Sequence, residues 1–348
     1  MKTTVRIVSV ACAALALAAC SGKSVLPAGG QGGASGYIAR PGAHGANPSF
    51  TSVITELAIA QKTSQPAGIV MGPDGNIWYA QHHKSAIVTI NATTHKATRF
   101  VISTRNSDPS QIAVGPDGNL WFAESIGDKI GKITTAGVIT EYPLPHLQSD
   151  PIGITGGPDG NVWFTEFDGN RVGSITPSGT ITEYTLPSLH ARPSSITNGP
   201  DGALWFTENG TNKVGRITTT GTITEYTLPL PNSQPDGIAA GPDGNLWVAE
   251  TGVGQIARVT PAGVATNFNL LTFNAGPVGI TAGPAGSNLL WFTEVNANSI
   301  GTITTAGVVN EYIVPTASSG LNRICVGPNS TVWFTEQVAN KIGIESGS

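Results

Sequence analysis

The chain has 348 residues with 44 glycines and 24 prolines, which disfavours long helices, and no Gly-x-y period runs through it, which excludes collagen. Seven tryptophans and a hydrophobic share of 39% are enough to fill a core, so wholesale disorder is excluded as well. Only 11% of the residues are charged, the formal net charge is −4 and no basic run occurs, so nucleic acid is not an expected partner.

The first residues have the features of a bacterial secretion signal. Lys2 and Arg6 begin it, and the apolar run that follows is too short to span a bilayer. The run ends in Leu-Ala-Ala-Cys at residues 17–20, which resembles the lipobox of bacterial lipoproteins, where the signal is cut before a cysteine whose sulfur carries a diacylglycerol. We therefore predict a lipoprotein signal peptide at residues 1–19 and lipidation of Cys20. An ordinary signal peptide with a chance cysteine is the alternative.

Residues 20–50 show no hydrophobic periodicity and are predicted to form a flexible tether that carries the lipidated Cys20. The expected location is the bacterial cell envelope, on the extracytoplasmic side. Several acyl chains make such an anchor stable, so contact with the membrane is expected through the lipid alone.

Beyond the tether, the sequence repeats. The tryptophans recur with steps of 42 to 44 residues, at positions 78, 121, 163, 205, 247, 291 and 333. One copy, residues 193–229, contains four β-prone runs at 195–198, 203–208, 213–218 and 222–228, separated by turns that contain glycine, proline or asparagine. Four strands in each of seven copies predict an all-β fold, a seven-bladed β-propeller of four-stranded blades.

The two ends of the repeat region complement each other. The last copy stops after its third strand, at residues 341–344, and the missing fourth strand appears at residues 53–57, where Val-Ile-Thr-Glu-Leu matches a fourth strand of another copy. An N-terminal strand is therefore expected to complete blade seven and to cover its open edge. Residues 51–348 are predicted to form a single domain.

Three repeated segments carry a resemblance to a known family. They are Gly-Pro-Asp-Gly-Asn-Leu-Trp-Phe-Ala-Glu at 115–124, Asn-Arg-Val-Gly-Ser-Ile-Thr at 170–176 and Gly-Thr-Ile-Thr-Glu-Tyr-Thr-Leu-Pro at 221–229. Over about residues 53–344 the chain resembles the streptogramin lyase (virginiamycin B lyase) family. This resemblance implies Mg²⁺-assisted linearisation of a cyclic depsipeptide antibiotic by elimination at its ester bond, with a histidine as the base that removes a proton next to the ester carbonyl.

The chain departs from this family where the catalytic histidines stand. In the family they follow the proline of Pro-His-[Ala/Gly]-Ile steps in the last two blades, whereas this chain has Pro-Val-Gly-Ile at 277–280 and Leu-Asn-Arg-Ile at 321–324. Gly320 replaces the family's acidic residue. Glu336 lies near the sequence position of the family's remaining carboxylate and is a weak catalytic candidate. Its presence is explained by the repeat alone, because the same glutamate recurs in most copies. No cofactor is predicted, apart from Mg²⁺ if the lyase chemistry is retained.

Residues that break the repeat lie around the start of the first strand of several copies. In a propeller this position faces the mouth of the central channel, where ligands usually bind. These candidate ligand-binding residues are Asp108, Gln111, Asp150, Arg192, Asp236, Asn322 and Arg323. A purely structural polar rim is the alternative.

The remaining histidines and cysteines supply no clear reactive group. His82 and His83 follow Gln81, and neighbouring positions on a strand point to opposite faces, so the pair is predicted to lie at a solvated hairpin tip, with a ligand or base role as the alternative. Cys325 lies in an apolar segment and is predicted to be a buried, inert thiol. No metal-spaced set of histidines and cysteines occurs, so no metal site is predicted.

The sequence thus favours a lipid-anchored, lyase-like propeller that binds a small molecule or a protein at the channel mouth without the family's chemistry. A working Mg²⁺-dependent carbon–oxygen lyase and a structural scaffold of the envelope are the alternatives. A monomer is expected.

Overall fold

The computed structural model describes residues 53–347. The predicted signal peptide, the predicted lipidation site at Cys20 and the predicted tether lie outside these residues. The described part of the chain forms strands joined by short turns, together with two short 3₁₀ helices, His82–Lys84 and Pro328–Ser330. Among these residues, no helix has the length and the apolar character that crossing a bilayer requires.

The strands follow one another in antiparallel sets of four. In chain order they are β1 (Val53–Ala58), β2 (Pro66–Met71), β3 (Ile77–Gln81), β4 (Ala86–Ile90), β5 (Ala97–Val101), β6 (Pro109–Val114), β7 (Leu120–Glu124), β8 (Lys129–Ile133), β9 (Ile139–Pro143), β10 (Pro151–Gly156), β11 (Val162–Glu166), β12 (Arg171–Ile175), β13 (Ile181–Thr185), β14 (Pro193–Asn198), β15 (Leu204–Glu208), β16 (Lys213–Ile217), β17 (Ile223–Thr227), β18 (Pro235–Ala240), β19 (Leu246–Glu250), β20 (Gln255–Val259), β21 (Ala265–Asn269), β22 (Pro277–Ala282), β23 (Leu289–Glu294), β24 (Ser299–Thr304), β25 (Val309–Ile313), β26 (Leu321–Val326), β27 (Val332–Glu336) and β28 (Lys341–Ser346).

These strands form seven sheets, and each sheet is one blade. Blades one to six are β2–β5, β6–β9, β10–β13, β14–β17, β18–β21 and β22–β25, and blade seven has the order β26, β27, β28, β1. The first strand of each blade is the innermost and contacts the first strand of the next blade, and β26 contacts β2 to close the ring. The predicted seven-bladed propeller is confirmed.

The ring is closed by β1, as the sequence predicted. This strand pairs with β28 along its whole length, from Val53 opposite Ser346 to Ala58 opposite Lys341. The Glu56 carboxylate accepts hydrogen bonds from Lys341 Nζ at 2.6 Å and from the Thr316 backbone N–H at 2.8 Å. These contacts tie the N-terminal strand to blade seven and to the segment between β25 and β26.

The core lies between neighbouring blades. Trp163 of blade three, for example, packs against Phe206 and Ile217 of blade four, and all seven tryptophans are buried. The indole Nε1 of Trp163 donates a hydrogen bond to Asp159 Oδ1 at 3.0 Å, so the Gly-Pro-Asp-Gly turn satisfies the polar atom of the buried ring. Each blade thereby holds the next one in place, which fixes the seven innermost strands around the channel.

Cys325 lies in this core, on the innermost strand of blade seven. Its side chain is buried, and burial raises the pKa of the thiol to about 12. The prediction of a buried thiol is confirmed, and the raised pKa favours the neutral, less reactive form.

Candidate functional site

The candidate site is the mouth of the central channel, defined as the end at which the seven innermost strands begin. The residue just before each of these strands has a positive φ, between 45° and 68°: Gln65, Asp108, Asp150, Arg192, Gln234, Gly276 and Gly320. Such a backbone is unusual for residues other than glycine, so neighbouring contacts must hold it. The Asp108 carbonyl accepts a hydrogen bond from Ser125 N–H at 3.2 Å, and the Asp150 carbonyl accepts one from Phe167 N–H at 3.0 Å. The conformation of the rim is therefore held by hydrogen bonds of the backbone.

Inside the mouth, a cavity of about 110 Å³ follows the axis of the propeller. It is lined by the third and fourth residues of six innermost strands, and glycine is the third residue in blades one, five and six. Only Gln111 in blade two and Arg323 in blade seven bring long polar side chains into this cavity. Both residues were predicted to lie at the mouth.

Arg323 spans the channel and pairs with Asp236. Its Nη2 donates to Asp236 Oδ1 at 3.0 Å, and Ser194 Oγ donates to the same oxygen at 2.7 Å. Gln111, in the amide orientation that turns its oxygen toward the guanidinium, accepts from Arg323 Nη2 at 2.9 Å. The Arg323 side chain is 15% exposed and that of Asp236 is 22% exposed. The structure thus brings these two predicted residues together, and their charges satisfy each other.

Three other predicted residues form the charged rim. Asp108 and Asp150 are half-buried, and Arg192 is exposed with its guanidinium carbon 5.6 Å from the centre of the Phe167 ring. Burial, with the nearby negative charge of Asp168, raises the pKa of Asp150 to about 6. The rim therefore carries charges of both signs within one shallow opening.

The positions at which the family resemblance implies catalytic histidines hold other side chains. Val278 and Asn322 are the second residues of β22 and β26, and both are half-buried. The Asn322 backbone carbonyl accepts a hydrogen bond from Thr293 Oγ1 at 2.6 Å. Neither side chain is a base of the strength that removing a proton next to an ester carbonyl requires.

Glu336 is one of a set of equivalent buried carboxyls. Burial and the charge of Glu56 raise its pKa to about 7. The equivalent glutamates of blades three, four and five are also fully buried, and burial raises their pKa values to about 7 as well: Glu166, Glu208 and Glu250. The environment of Glu336 therefore follows the repeat and does not distinguish it as a catalytic group.

The residues at the start of blade seven do not fit the Mg²⁺ site that the family resemblance implies. Mg²⁺ is held by carboxylate oxygens and water in octahedral geometry. Here Gly320 offers no side-chain donor, Asn322 offers one amide oxygen, and Glu336 is fully buried with a raised pKa. One buried carboxyl and one amide do not make a magnesium site.

The structure corrects the interpretation of His82 and His83. They lie in the 3₁₀ helix that follows β3, so their rings do not point to opposite faces, and the ring centroids are 5.2 Å apart. His83 is exposed, but His82 is half-buried with Nδ1 3.9 Å from Asp108 Oδ1, and burial lowers the pKa of His82. Sequence reasoning missed this cluster, although the replacement of the repeated glutamate by Gln81 just before it was a visible signal.

Together, the fold and the mouth define a seven-bladed propeller with a charged opening at the start of its innermost strands. A model of the virginiamycin B lyase family matches residues 52–275 and 263–346. The chain therefore belongs to the virginiamycin B lyase family. Among curated proteins, no match to the chain is found.

Solved lyase structures share both sequence and fold with this chain. A streptogramin B lyase is 39% identical, with a TM-score of 0.81, over 85% of this chain and 98% of the other. A selenomethionine form of virginiamycin B lyase from Staphylococcus aureus is 42% identical, with a TM-score of 0.81, over 85% and 99%. A catalytically inactive histidine-to-alanine variant of that enzyme, with Quinupristin, is 41% identical, with a TM-score of 0.81 and the same coverage.

Proposed function

We propose that this chain is a lyase-family propeller that binds a small ligand at the channel mouth and does not catalyse the family's elimination. The proposal rests on one observation: Val278 and Asn322 stand at the two positions where the family resemblance implies histidines. The nearby Asp236 carboxylate accepts hydrogen bonds from Arg323 and Ser194, so it is not free to act as the base in their place.

Loss of catalysis is compatible with retained binding. A catalytically inactive histidine-to-alanine variant of the Staphylococcus aureus lyase is recorded with Quinupristin. A propeller of this family therefore does not need its full set of histidines to hold such a ligand, and the same is proposed for this chain.

The rim indicates the chemistry of the ligand. Asp108 and Asp150 suit a cationic group or N–H donors, and the exposed guanidinium of Arg192 suits a carboxylate or a carbonyl, which it can hold with two hydrogen bonds. A peptide-like small molecule or a peptide segment of a protein carries both kinds of group. Asn322, which is half-buried at the second position of β26, offers one further amide.

A second candidate function is an active lyase with a relocated base, and Asp150 is the observation that favours it. A carboxyl with a pKa of about 6 at the mouth is suited to proton transfer near neutral pH. Because the base would then be Asp150, substitution by asparagine would abolish product formation and not only weaken binding.

We also propose that the protein works in the bacterial cell envelope, anchored through a lipid on Cys20. The lipobox-like sequence at residues 17–20 supports this proposal. Cys20→Ser is expected to release the protein from the membrane fraction, and a wild-type protein that is wholly soluble and unacylated contradicts it.

The binding proposal is tested by calorimetry with Quinupristin and the purified full chain. Arg192→Ala and Asp150→Asn are each expected to weaken binding about 10- to 100-fold, because each removes a charge-assisted contact of ~1.5 to 3 kcal/mol. The matched control is Arg216→Ala, since Arg216 donates to Asp201 at 2.6 Å on the third strand of blade four, away from the mouth. If wild type does not bind, or if all three variants bind like wild type, the proposal is wrong.

A further inference from the structure

We propose that His82, His83 and Asp108 form a binding site for a divalent transition-metal ion of the zinc class, between blades one and two. One possible ligand atom from each of the three residues lies within 4.8 Å of the other two. The cluster is on the mouth side of the propeller, away from the blade-seven residues discussed above. This inference does not depend on binding of a small organic ligand.

The type of donor selects the metal. Two imidazoles and one carboxylate are a common set for Zn²⁺ and other borderline divalent ions, whereas Mg²⁺ and Ca²⁺ prefer oxygen ligands alone. Metal–ligand bonds of about 2.1 Å place tetrahedral ligand atoms roughly 3.4 Å apart. The separations of up to 4.8 Å in the present cluster must therefore shrink by up to about 1.4 Å. The exposed side chain of His83 is free to move by this amount.

The backbone of the cluster is already fixed. His82 N–H donates to the Gln65 carbonyl at 3.2 Å, and His83 N–H donates to the Ser64 carbonyl at 3.3 Å. Asp108 is held at a φ of 47° by the hydrogen bond that its carbonyl accepts from Ser125. Metal binding therefore requires only side-chain rotation, which keeps its entropic cost low.

A second observation points to a ligand at the same place. Within residues 53–347, the Nδ1 atom of His82 is buried and has no hydrogen-bond partner. A buried polar atom without a partner is costly, and an imidazole nitrogen that faces a carboxylate 3.9 Å away is satisfied by a cation between them. The metal supplies this missing partner.

The repeats show that this arrangement is local to blade one. The residue pairs that stand in place of His82 and His83 in blades two to seven contain no histidine: Ser125-Ile126, Phe167-Asp168, Asn209-Gly210, Thr251-Gly252, Val295-Asn296 and Gln337-Val338. In blade one the repeated glutamate is also replaced, by Gln81, whose Oε1 accepts from Arg99 Nε at 2.9 Å. Several departures from the repeat thus coincide at one position, beside Asp108 of the next blade.

The surroundings favour a cation and leave it accessible. Asp150 is close enough to Asp108, Asp128 and Asp168 for their charges to act on it, so negative potential accumulates on this side of the mouth. An open cavity of about 550 Å³ is lined by His83 and Asp108, with Lys84 as the cation on its wall. Three protein ligands leave a fourth coordination position for water or for a ligand that enters from this cavity.

The test is Zn²⁺ calorimetry on the untagged full chain. Wild type is expected to bind one Zn²⁺ at this site, with excess Mg²⁺ unable to compete. His83→Ala and Asp108→Asn are each expected to lower the Zn²⁺ affinity about tenfold or more, because even outer partners of metal ligands contribute 10- to 100-fold. His83 is exposed and asparagine accepts a positive φ, so neither change should disturb the fold.

Two controls keep the result specific. The variant His190→Ala removes another exposed histidine and is expected to bind Zn²⁺ like wild type. Co²⁺ is added as a spectroscopic probe, and visible bands without a thiolate charge-transfer band are expected. Absence of Zn²⁺ binding, wild-type affinity in both His83→Ala and Asp108→Asn, or a thiolate band that assigns the metal to cysteine would overturn the proposal.

Discussion

Arg323 stands at a position where four of the seven innermost strands have glycine: Gly68, Gly153, Gly237 and Gly279. The sequence identified it, together with Asp236, as a departure from the repeat at the channel mouth. The sequence did not show that they pair, because they are 87 residues apart and meet only when blades five and seven curve around the same axis. Their contact depends on closure of the ring, which single-residue patterns do not report.

This pairing leads to a prediction about stability. Arg323→Ala leaves the partly buried Asp236 carboxylate without its ion-pair partner. We therefore expect the free energy of unfolding to fall by about 1 to 3 kcal/mol. The double variant Arg323→Ala/Asp236→Ala should lose less than the sum of the two single changes, since it leaves no unpaired charge. Urea unfolding of the four proteins measures both effects. Additive losses, or an Arg323→Ala variant as stable as wild type, would show that the pair does not form.

Among the elements, β1 has the clearest energetic role. Its existence and its pairing with β28 were predictable, because comparing copies showed a third strand without a fourth at one end and a fourth strand without a third at the other. Strand ends were less predictable: the run expected at 213–218 is Lys213–Ile217, and the run expected at 222–228 is Ile223–Thr227. The 3₁₀ helix His82–Lys84 was missed because the residues of this turn differ from copy to copy and carry no periodic signal.

The closing strand should therefore matter more than the segment before it. Deletion of residues 51–60 removes β1 with its hydrogen bonds to β28 and the Glu56–Lys341 ion pair, and it exposes the edge of blade seven. We expect a clear fall in the thermal midpoint for this truncation, while deletion of residues 21–45 leaves it nearly unchanged. Calorimetric scans of the two truncations, with the full chain as reference, measure the difference. Equal and small shifts would mean that the N-terminal strand does not hold the ring closed.

Across the whole propeller, buried carboxyls couple stability to pH. Burial and the charge of Glu311 raise the pKa of Glu294 to about 9, and burial and the charge of Glu141 raise that of Glu124 to about 8. At pH values between the ordinary pKa of 4.5 and these raised pKa values, the two carboxyls are protonated in the folded protein and ionised in the unfolded chain. The contribution of these groups to the free energy of unfolding is thus fully present below pH 4.5, and it falls as the pH rises toward 9.

A set of carboxylates with opposite behaviour limits stability in acid. The Lys341, Lys129 and Lys213 ammonium groups and nearby hydroxyls lower the pKa values of the carboxyls they contact: Glu56, Glu141 and Glu225. The folded state gains from these ionised groups above the ordinary value of 4.5 and loses that gain as the pH falls through their lowered pKa values. Stability is therefore expected to be greatest in mildly acidic solution.

The matching measurement is the thermal midpoint between pH 5 and pH 9. It should fall steadily over this range, and Glu294→Gln should make the fall shallower, because glutamine keeps the neutral form at every pH. A midpoint that is constant or rises between pH 5 and pH 8 would show that these carboxyls ionise without cost in the folded protein.

Function is tested most directly by looking for turnover. The purified full chain is incubated with Quinupristin and Mg²⁺, beside the Staphylococcus aureus virginiamycin B lyase as a positive control. Elimination gives a linear product with the same mass as the cyclic substrate, whereas hydrolysis adds one water, so the products are separated by chromatography and identified by fragmentation. We expect the control to consume the antibiotic and this chain to leave it cyclic, because Val278 and Asn322 stand where the family resemblance implies the catalytic histidines. A linear product that forms with this chain, and does not form in the same mixture without protein, would contradict the proposed function.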